Sequence, residues 1–249
     1  GNADIGYEDA AGFDAKLSVG DGIVVDACNS YNNADDGWDL FAKVETGPIG
    51  SVTIKNCVAY GNGYLEDGTD AGNGNGFKMG GSSITGYHTL INSVAFGNKA
   101  KGIDSNSCPD IQVKQSTSFN NESYNVAFYT NAGSRSDFGA TGILSYRTKN
   151  LTQQEQLKLL QEEATIRTTM NYFWNETKQE STNSEGNVAK DSWFVSTTDP
   201  QITRNADGTI NMNGFLAVTS AVPEGVGARM TGTPSAVFTV AADVVNNDD

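Results

Sequence analysis

The chain has 249 residues and carries 16 Lys and Arg against 30 Asp and Glu, which gives a formal net charge of −14. This acidic balance argues against nucleic-acid binding, which depends on Lys and Arg, and no apolar run approaches the ~20 residues of a membrane span. The single histidine, His88, excludes a zinc site made of several histidines, and the three cysteines give no closed disulfide framework.

A short pattern recurs through the first three-fifths of the chain. It reads small residue, any residue, small residue, aromatic, any residue, Asn, with four full copies and a weaker fifth. The aromatic positions lie 29, 36, 23 and 27 residues apart and are Tyr31, Tyr60, Phe96, Phe119 and Tyr146. A period of this length, with insertions such as residues 63–75, is typical of a solenoid built from repeated coils.

A second short strand follows each of the four full copies, and an earlier strand precedes them. These strands are Gly12–Ala15, Gly37–Leu40, Gly76–Met79, Gly102–Ser105 and Asn125–Phe128. Such short strands, separated by Gly and Asn that take positive φ at corners, predict an all-β parallel β-helix over residues 1–150. The alternative, a leucine-rich horseshoe, lacks its leucine spacing.

Stacking of like residues in successive coils follows from this fold. Neighbouring coils lie ~4.8 Å apart, so side chains at matching positions touch. We expect an asparagine ladder at one corner, formed by Asn33, Asn62, Asn98 and Asn121. Cys28 and Cys57 share one register and are expected to touch in the core as free thiols, with a disulfide as the alternative.

The repeat pattern ends after residue 150. Thr152–Glu155 reads as a capping box that opens a helix through about Arg167, and a loop-rich stretch follows. We therefore expect residues 151–249 to form a C-terminal helix and loop-rich segment that packs on or caps the solenoid and shields its open edges. The chain starts abruptly within a coil, so we expect either a missing N-terminal part or an unusually small cap.

Strand alternation places chemically active side chains in one row. If the apolar residue of each second strand faces the core, the residue after it faces solvent. The resulting row is Asp14, Asp39, Lys78 and Asp104, and Asp35 and Asp36 precede it in the second coil. Crowded carboxylate oxygens suit Ca²⁺, so the sequence favours a metal site over an ordinary Asp-Asp-Gly turn. Lys78 is then either a solvated charge or a base, and as a base it needs the metal to cancel the field of Asp39 and Asp104.

Three motifs taken together resemble those of polysaccharide lyase family nine. They are Asn33–Leu40, Gly74–Gly81 and Asn92–Asn98, and the resemblance extends over about Gly12 to Tyr146. Either of the first two motifs alone is weak, whereas both in this order are specific. The resemblance implies a right-handed parallel β-helix with the activity of a calcium-dependent pectate or rhamnogalacturonan lyase.

The same resemblance implies roles for individual residues. The implied calcium ligands are Asp35, Asp36 and Asp39, and the implied Brønsted base is Lys78. One position departs from the family pattern, because Ala11 stands where a further calcium-binding Asp is usual. We expect Asp14, on the same row as Asp39, to replace it, with Asp9 as the alternative.

The implied substrate is a pectic polysaccharide whose galacturonate units are cleaved by β-elimination. A base removes the C5 proton while the C4 oxygen leaves, and calcium neutralises the carboxylate that otherwise opposes this step. Lys43, Lys99 and Lys101 are candidates for pairing with further uronate carboxylates, and an ordinary solvated lysine is the competing interpretation of each. The sequence does not separate polygalacturonate from rhamnogalacturonan I.

Two other functions stay open at this stage. A non-catalytic carbohydrate-binding or adhesin-like β-helix needs only the coils, and a glycoside hydrolase would use Asp14 and Asp39 as its acid and base. A polymeric substrate and a calcium requirement predict a secreted, periplasmic or cell-surface protein whose export signal lies outside this chain. We also expect a monomer.

Overall fold

Each coil of the chain contributes one short strand to each of three parallel sheets. A computed structural model describes residues 1–7, 9–131, 137–148, 163–198 and 200–230. The first sheet contains β1 (Phe13–Asp14), β4 (Trp38–Asp39), β7 (Phe77–Lys78), β10 (Ile103–Asp104) and β13 (Val126–Ala127). The second contains β2 (Ile23–Asp26), β5 (Val52–Lys55), β8 (Thr89–Ile91), β11 (Gln112–Lys114) and β14 (Gly139–Thr141). The third contains β3 (Asn29–Tyr31), β6 (Val58–Tyr60), β9 (Val94–Phe96), β12 (Thr117–Phe119) and β15 (Leu144–Tyr146). The predicted parallel β-helix is confirmed.

The register of the coils stacks like residues, as the repeat predicts. The ring centroids of Tyr31 and Tyr60 are 4.8 Å apart and those of Tyr60 and Phe96 are 4.9 Å apart, and the rings of each pair are stacked nearly parallel. The asparagine ladder is also confirmed, with side-chain hydrogen bonds of 2.9, 2.8 and 2.7 Å that run along Asn33, Asn62, Asn98 and Asn121. These buried amides satisfy one another and fix the corner of each coil.

Glycine precedes four of the five strands of the first sheet because the next coil passes very close. A Cβ atom on Gly37 would lie 2.5 Å from the carbonyl oxygen of Gly76, and one on Gly76 would lie 2.6 Å from that of Gly102. A side chain at either position would therefore push two coils apart. The glycines let the backbones approach, which brings the residues on either side of them into contact with their counterparts.

Apolar side chains fill the interior between the three sheets. Trp38 and Phe77 are buried and stack with ring centroids 4.8 Å apart, so the apolar residues of the first sheet face the core as predicted. Cys57 is buried and Cys28 is partly buried, and the backbone N–H of Cys28 donates to Cys57 Sγ at 3.4 Å. This hydrogen bond confirms the predicted contact between the two residues. Both thiols are free, which confirms the free-thiol interpretation over a disulfide.

Most of the C-terminal part of the chain packs against the outer face of the third sheet, whereas its helix α1 (Glu163–Ile166) contacts β14 of the second sheet. The C-terminal part also contains the hairpin of β16 (Phe173–Asn175) and β17 (Glu180–Thr182), a 3₁₀ turn (Asp191–Trp193), and the pair β18 (Thr203–Arg204) and β19 (Ile210–Asn211). Phe215 places its ring edge-on against Phe96 at 4.9 Å and Phe119 at 5.9 Å.

Some expectations for this part of the chain fall on residues that the structure does not describe. The capping box at Thr152–Glu155 and the boundary between residues 150 and 151 lie outside the described ranges, so both stay predictions. The end of the predicted helix is present as α1. Within the described ranges, no helix has the length and apolar character that crossing a membrane requires.

Candidate active site

The first sheet aligns the predicted row of functional side chains. Asp14 lies beside Asp39, Asp39 beside Lys78, and Lys78 beside Asp104 in successive coils. The expectation that this row faces solvent is wrong for two members, because Asp39 is 1% exposed and Asp104 is fully buried. Lysine side chains lie across these carboxylates and remove them from water, which the alternation of strand residues does not reveal.

Three aspartates of the second coil form the centre of the site. Asp35, Asp36 and Asp39 are buried, and each offers a carboxylate oxygen within 4.8 Å of the others. In each case Oδ1 accepts a backbone N–H: Asp35 from Asn73 at 2.9 Å, Asp36 from Asn75 at 2.7 Å, and Asp39 from Phe41 at 3.0 Å. The backbone thus orients all three carboxylates.

Lys78 lies against two of these carboxylates. Its Nζ is 3.0 Å from Asp36 Oδ2 and 3.1 Å from Asp39 Oδ2, and it lies 5.5 Å from the ring centre of Phe41. Burial alone lowers the pKa of Lys78, but Asp36 and Asp39 outweigh burial and raise it above its usual range. Burial raises the pKa of Asp36 to about 6, against the attraction of Lys78. In this arrangement Lys78 is protonated and ion-paired.

Lys16 is a second lysine of the site, and the sequence analysis missed it. Its Nζ is 3.0 Å from Asp39 Oδ2, 3.3 Å from Asp14 Oδ1 and 3.9 Å from Asp9 Oδ1. Lys16 lies two residues after Asp14, so strand alternation puts it on the same side. That spacing is the signal that could have identified it.

Asp14, the predicted fourth ligand, lies at the edge of the site. Its carboxylate is 40% exposed and pairs with Lys16. Among the described residues, the carboxylates close enough to share one ion are Asp35, Asp36 and Asp39. Ala11, at the position of the usual family aspartate, is buried. Ligation by Asp14 or Asp9 therefore stays a prediction.

The three lysines predicted to bind substrate occupy different surroundings. Lys43 is exposed and lies on the rim of a cleft of about 270 Å³. The Nζ of Lys99 donates to the carbonyls of Ala71 at 2.7 Å and Gly72 at 3.2 Å, which ties down the insertion of residues 63–75. Lys101 Nζ is 2.7 Å from Asp104 Oδ2. The structure thus brings Lys43 to the central cleft, whereas Lys99 and Lys101 are not among the residues that line it.

The cleft presents the central cluster to solvent. Its lining residues are Asp9, Lys16, Leu17, Asp39, Phe41, Lys43 and Lys78. Three of the seven are lysines, although the chain as a whole is strongly acidic. Lys16 and Lys78 are ion-paired with aspartates of the site, so Lys43 is the lining lysine for which the described residues show no ion pair.

The donor atoms of the central cluster suit a calcium ion. Calcium takes about six to eight hard oxygen ligands, and carboxylates are the commonest of its protein ligands. Asp35 Oδ2 is buried and has no hydrogen-bond partner among the described residues, so one cluster oxygen is left for a cation. A buried carboxylate oxygen without a partner is unfavourable, and an ion bound there would satisfy it.

Fold and site together define a class of protein. It is a parallel β-helix in which a lysine of the first sheet lies beside a cluster of buried carboxylates. Residues 1–137 match the family described as Pel9A-like, right handed beta helix region. The chain belongs to this family, and the resemblance to polysaccharide lyase family nine is confirmed.

Individual relatives agree with this assignment. The chain is 41% identical over 236 residues to pectate lyase L of Paenibacillus polymyxa (strain SC2), a match that covers 89% of this chain and 48% of that protein. The crystal structure of pectate lyase Pel9A matches with a TM-score of 0.62 and 28% identity, over 94% of this chain and 52% of that chain. A rhamnogalacturonan lyase shares the fold, with a TM-score of 0.64, 22% identity and coverage of 87% and 54%. The chain spans about half the length of these proteins.

Proposed function

We propose that this chain carries the active site of a lyase that cleaves galacturonic-acid-containing pectic chains by β-elimination. The observation that carries the proposal is Lys78 held against the buried carboxylates of Asp36 and Asp39 at a cleft with several lysines. Relatives named pectate lyase support the substrate class. The non-catalytic carbohydrate-binding alternative is not favoured, because it gives no reason to bury three aspartates around one lysine.

Asp35, Asp36 and Asp39 are the residues that would hold calcium. Bound there, calcium would supply the positive charge that neutralises a uronate carboxylate and the negative charge that develops beside it. The three carboxylates are held in place by N–H groups of Asn73, Asn75 and Phe41, so they need little rearrangement to act together.

Lys78 would take the C5 proton of a galacturonate on Nζ. The electron pair of the C5–H bond forms the C4–C5 double bond, and the C4–O bond breaks as the leaving oxygen gains a proton. To act as a base, Lys78 must first lose the proton that Asp36 and Asp39 stabilise. When those carboxylates are neutralised, burial becomes the main influence on Lys78, and burial lowers its pKa.

Other parts of the proposal concern the polymer and its location. Lys43, Lys99 and Lys101 would pair with uronate carboxylates on either side of the cleaved bond. A polymer of this kind is met outside the cytoplasm, so we place the protein in a secreted, periplasmic or cell-surface setting, acting as a monomer.

The test is an assay of product formation in which the unsaturated product is detected by its ultraviolet absorbance. Polygalacturonate and rhamnogalacturonan I are compared as substrates, with added calcium and with chelator. We expect activity on one of them that the chelator abolishes. Lys78→Arg keeps the positive charge but not the base, so its rate should fall by roughly 10²–10⁴-fold.

Lys114→Arg is the matched control, because Lys114 is exposed on the second sheet and should leave the rate unchanged. Full activity in Lys78→Arg would remove Lys78 from the mechanism. Retention of the polymer without any product would favour the carbohydrate-binding alternative.

A further inference from the structure

Two ammonium groups share one carboxylate oxygen at the centre of the site. Lys16 Nζ and Lys78 Nζ lie 3.0 and 3.1 Å from Asp39 Oδ2, while Asp39 Oδ1 accepts the N–H of Phe41. Asp39 is 1% exposed, so water does not supply an alternative partner. Any further cation that binds Asp39 must therefore compete with a lysine.

The two lysines differ in where else their charge can go. Among the described residues, the other carboxylate that forms an ion pair with Lys78 is that of Asp36, which belongs to the same cluster. Lys16 has Asp14 at 3.3 Å and Asp9 at 3.9 Å, and both lie outside the cluster. Lys16 can thus give up Asp39 and stay ion-paired, whereas Lys78 would lose both partners to an ion held by the cluster.

Exposure points the same way. The side chains of Lys16 and Asp14 are 21% and 40% exposed, while the carboxylates of Asp36 and Asp39 are almost fully buried. A move of Lys16 Nζ from Asp39 to Asp14 therefore shifts its charge towards water, where an ammonium is well solvated. The rearrangement needs only rotation of a flexible side chain.

We infer that Lys16 competes with calcium for Asp39 and passes to Asp14 and Asp9 when the ion binds. This inference rests on the proposed calcium site. It assigns Asp14 a role different from ligation, namely to hold the displaced ammonium. Lys16 then sets the calcium affinity of the site and keeps Asp39 paired while no ion is bound.

The first test is calcium binding measured by titration calorimetry, with no substrate present. Lys16→Met removes the competitor, so calcium should bind about two- to fivefold more tightly, the scale of one partly exposed ion pair. Lys43→Met is the matched control. Lys43 lines the same cleft and forms no ion pair within the described part of the chain, and its replacement by Met removes the same positive charge. Its affinity should change by less than about twofold.

Asp14→Asn separates the two roles of Asp14. If Asp14 receives Lys16, Asp14→Asn weakens calcium binding in the natural chain and has no effect in the Lys16→Met background. If Asp14 is a ligand, Asp14→Asn weakens binding equally in both backgrounds, and the inference is wrong. Circular dichroism of each variant checks that it is folded.

The outcomes also separate this inference from the proposed function. Calcium binding with an unchanged affinity in Lys16→Met overturns the competition by Lys16 and leaves the calcium site standing. Absence of calcium binding in the natural chain overturns the calcium site and the inference together.

Discussion

His88 lies inside the solenoid, away from the cleft, and serves the fold. Its Nδ1 accepts the backbone N–H of Val52 at 3.1 Å, so the neutral ring carries its proton on Nε2. Nε2 has no hydrogen-bond partner among the described residues, and the side chain is fully buried. Burial lowers the pKa of His88 to about 4, although Asp110 acts in the opposite direction.

The buried histidine predicts a loss of stability in acid. The folded pKa of about 4 lies below the ordinary value of 6.5, so the unfolded chain binds more protons between these values. The contribution of neutral His88 is therefore complete above pH 6.5 and is lost as the pH falls through the folded pKa, by roughly 3 kcal/mol in all. Urea unfolding of the natural chain and of His88→Gln should show a difference in unfolding free energy that shrinks on acidification. A constant difference from pH 7 to pH 4 would contradict this assignment.

At the scale of single residues, the sequence predicts the cluster and Lys78 but not Lys16. Asp39 and Lys78 occupy positions that the repeat aligns, so their contact follows from the register. Lys16 occupies a position filled by Phe41 in the next coil and Gly80 in the one after. No residue type recurs there, and comparison of repeats therefore passes over the lysine that covers Asp39.

Among the structural elements, the asparagine ladder is the part of the fold that depends most on one residue type. The side-chain oxygen of Asn98 accepts both the backbone and side-chain N–H groups of Asn62, at 3.2 and 2.8 Å. Its own amide donates to Asn121 Oδ1 at 2.7 Å and to the carbonyl of Ala59 at 3.1 Å. Each rung therefore satisfies buried groups in the coils on both sides.

Asn98→Ala should destabilise the solenoid strongly. It removes four hydrogen bonds and leaves the buried backbone N–H of Asn62 without its acceptor, and a buried group left unpaired costs about 1–3 kcal/mol. Asn62 Nδ2 and Asn121 Oδ1 each keep one partner, the carbonyl oxygen of Ser30 and the N–H of residue 98 respectively. We expect the unfolding free energy, measured in urea, to fall by roughly 3 kcal/mol or more. Asn131→Ala is the control, because Asn131 is exposed and should change the free energy by less than about 0.5 kcal/mol. If Asn98→Ala lowered the unfolding free energy as little as Asn131→Ala, the ladder would be dispensable for stability.

The sequence predicts these elements well because like residues stack on like. Tyr31, Tyr60 and Phe96 recur at one position and are found in one stack. The hairpin of β16 and β17 has no such recurrence, and only tertiary contacts specify it. Prediction from the repeat therefore ends where the coils end.

In the whole molecule, the cleft and the surface covered by the C-terminal part of the chain lie on different faces of the solenoid. The first sheet carries the cleft, and the C-terminal part of the chain covers the outer face of the third sheet. Phe215 contacts Phe96 and Phe119 there and is 3% exposed. A change at this interface should therefore alter stability without altering the cleft.

Phe215→Ala tests this separation. Loss of a buried Phe side chain should lower the unfolding free energy by about 3–5 kcal/mol and speed amide exchange in residues 193–230. The calcium affinity of the folded protein should stay within about twofold of the natural value, because the cleft keeps its contacts. Val195→Ala, at a residue that is 65% exposed in the same segment, should leave both quantities unchanged. A calcium affinity that falls with Phe215→Ala would mean that the two faces are coupled.

The packing of this flank could not be predicted from the sequence. The N–H of Ala228 donates to Thr117 Oγ1 at 2.9 Å across 111 residues of chain, and Phe215 meets Phe96 across a similar interval. Such contacts depend on the shape of a surface that exists only once the coils have formed.

The insertion between β6 and β7, residues 63–75, has a part that contacts the site and a part that is exposed to solvent. Its end supplies the N–H groups of Asn73 and Asn75 that hold Asp35 and Asp36, and Lys99 anchors it at Ala71. Residues 66–70, at its tip, are exposed. Natural variation can therefore lengthen or shorten the tip, or change its side chains, while the backbone groups that hold Asp35 and Asp36 are kept.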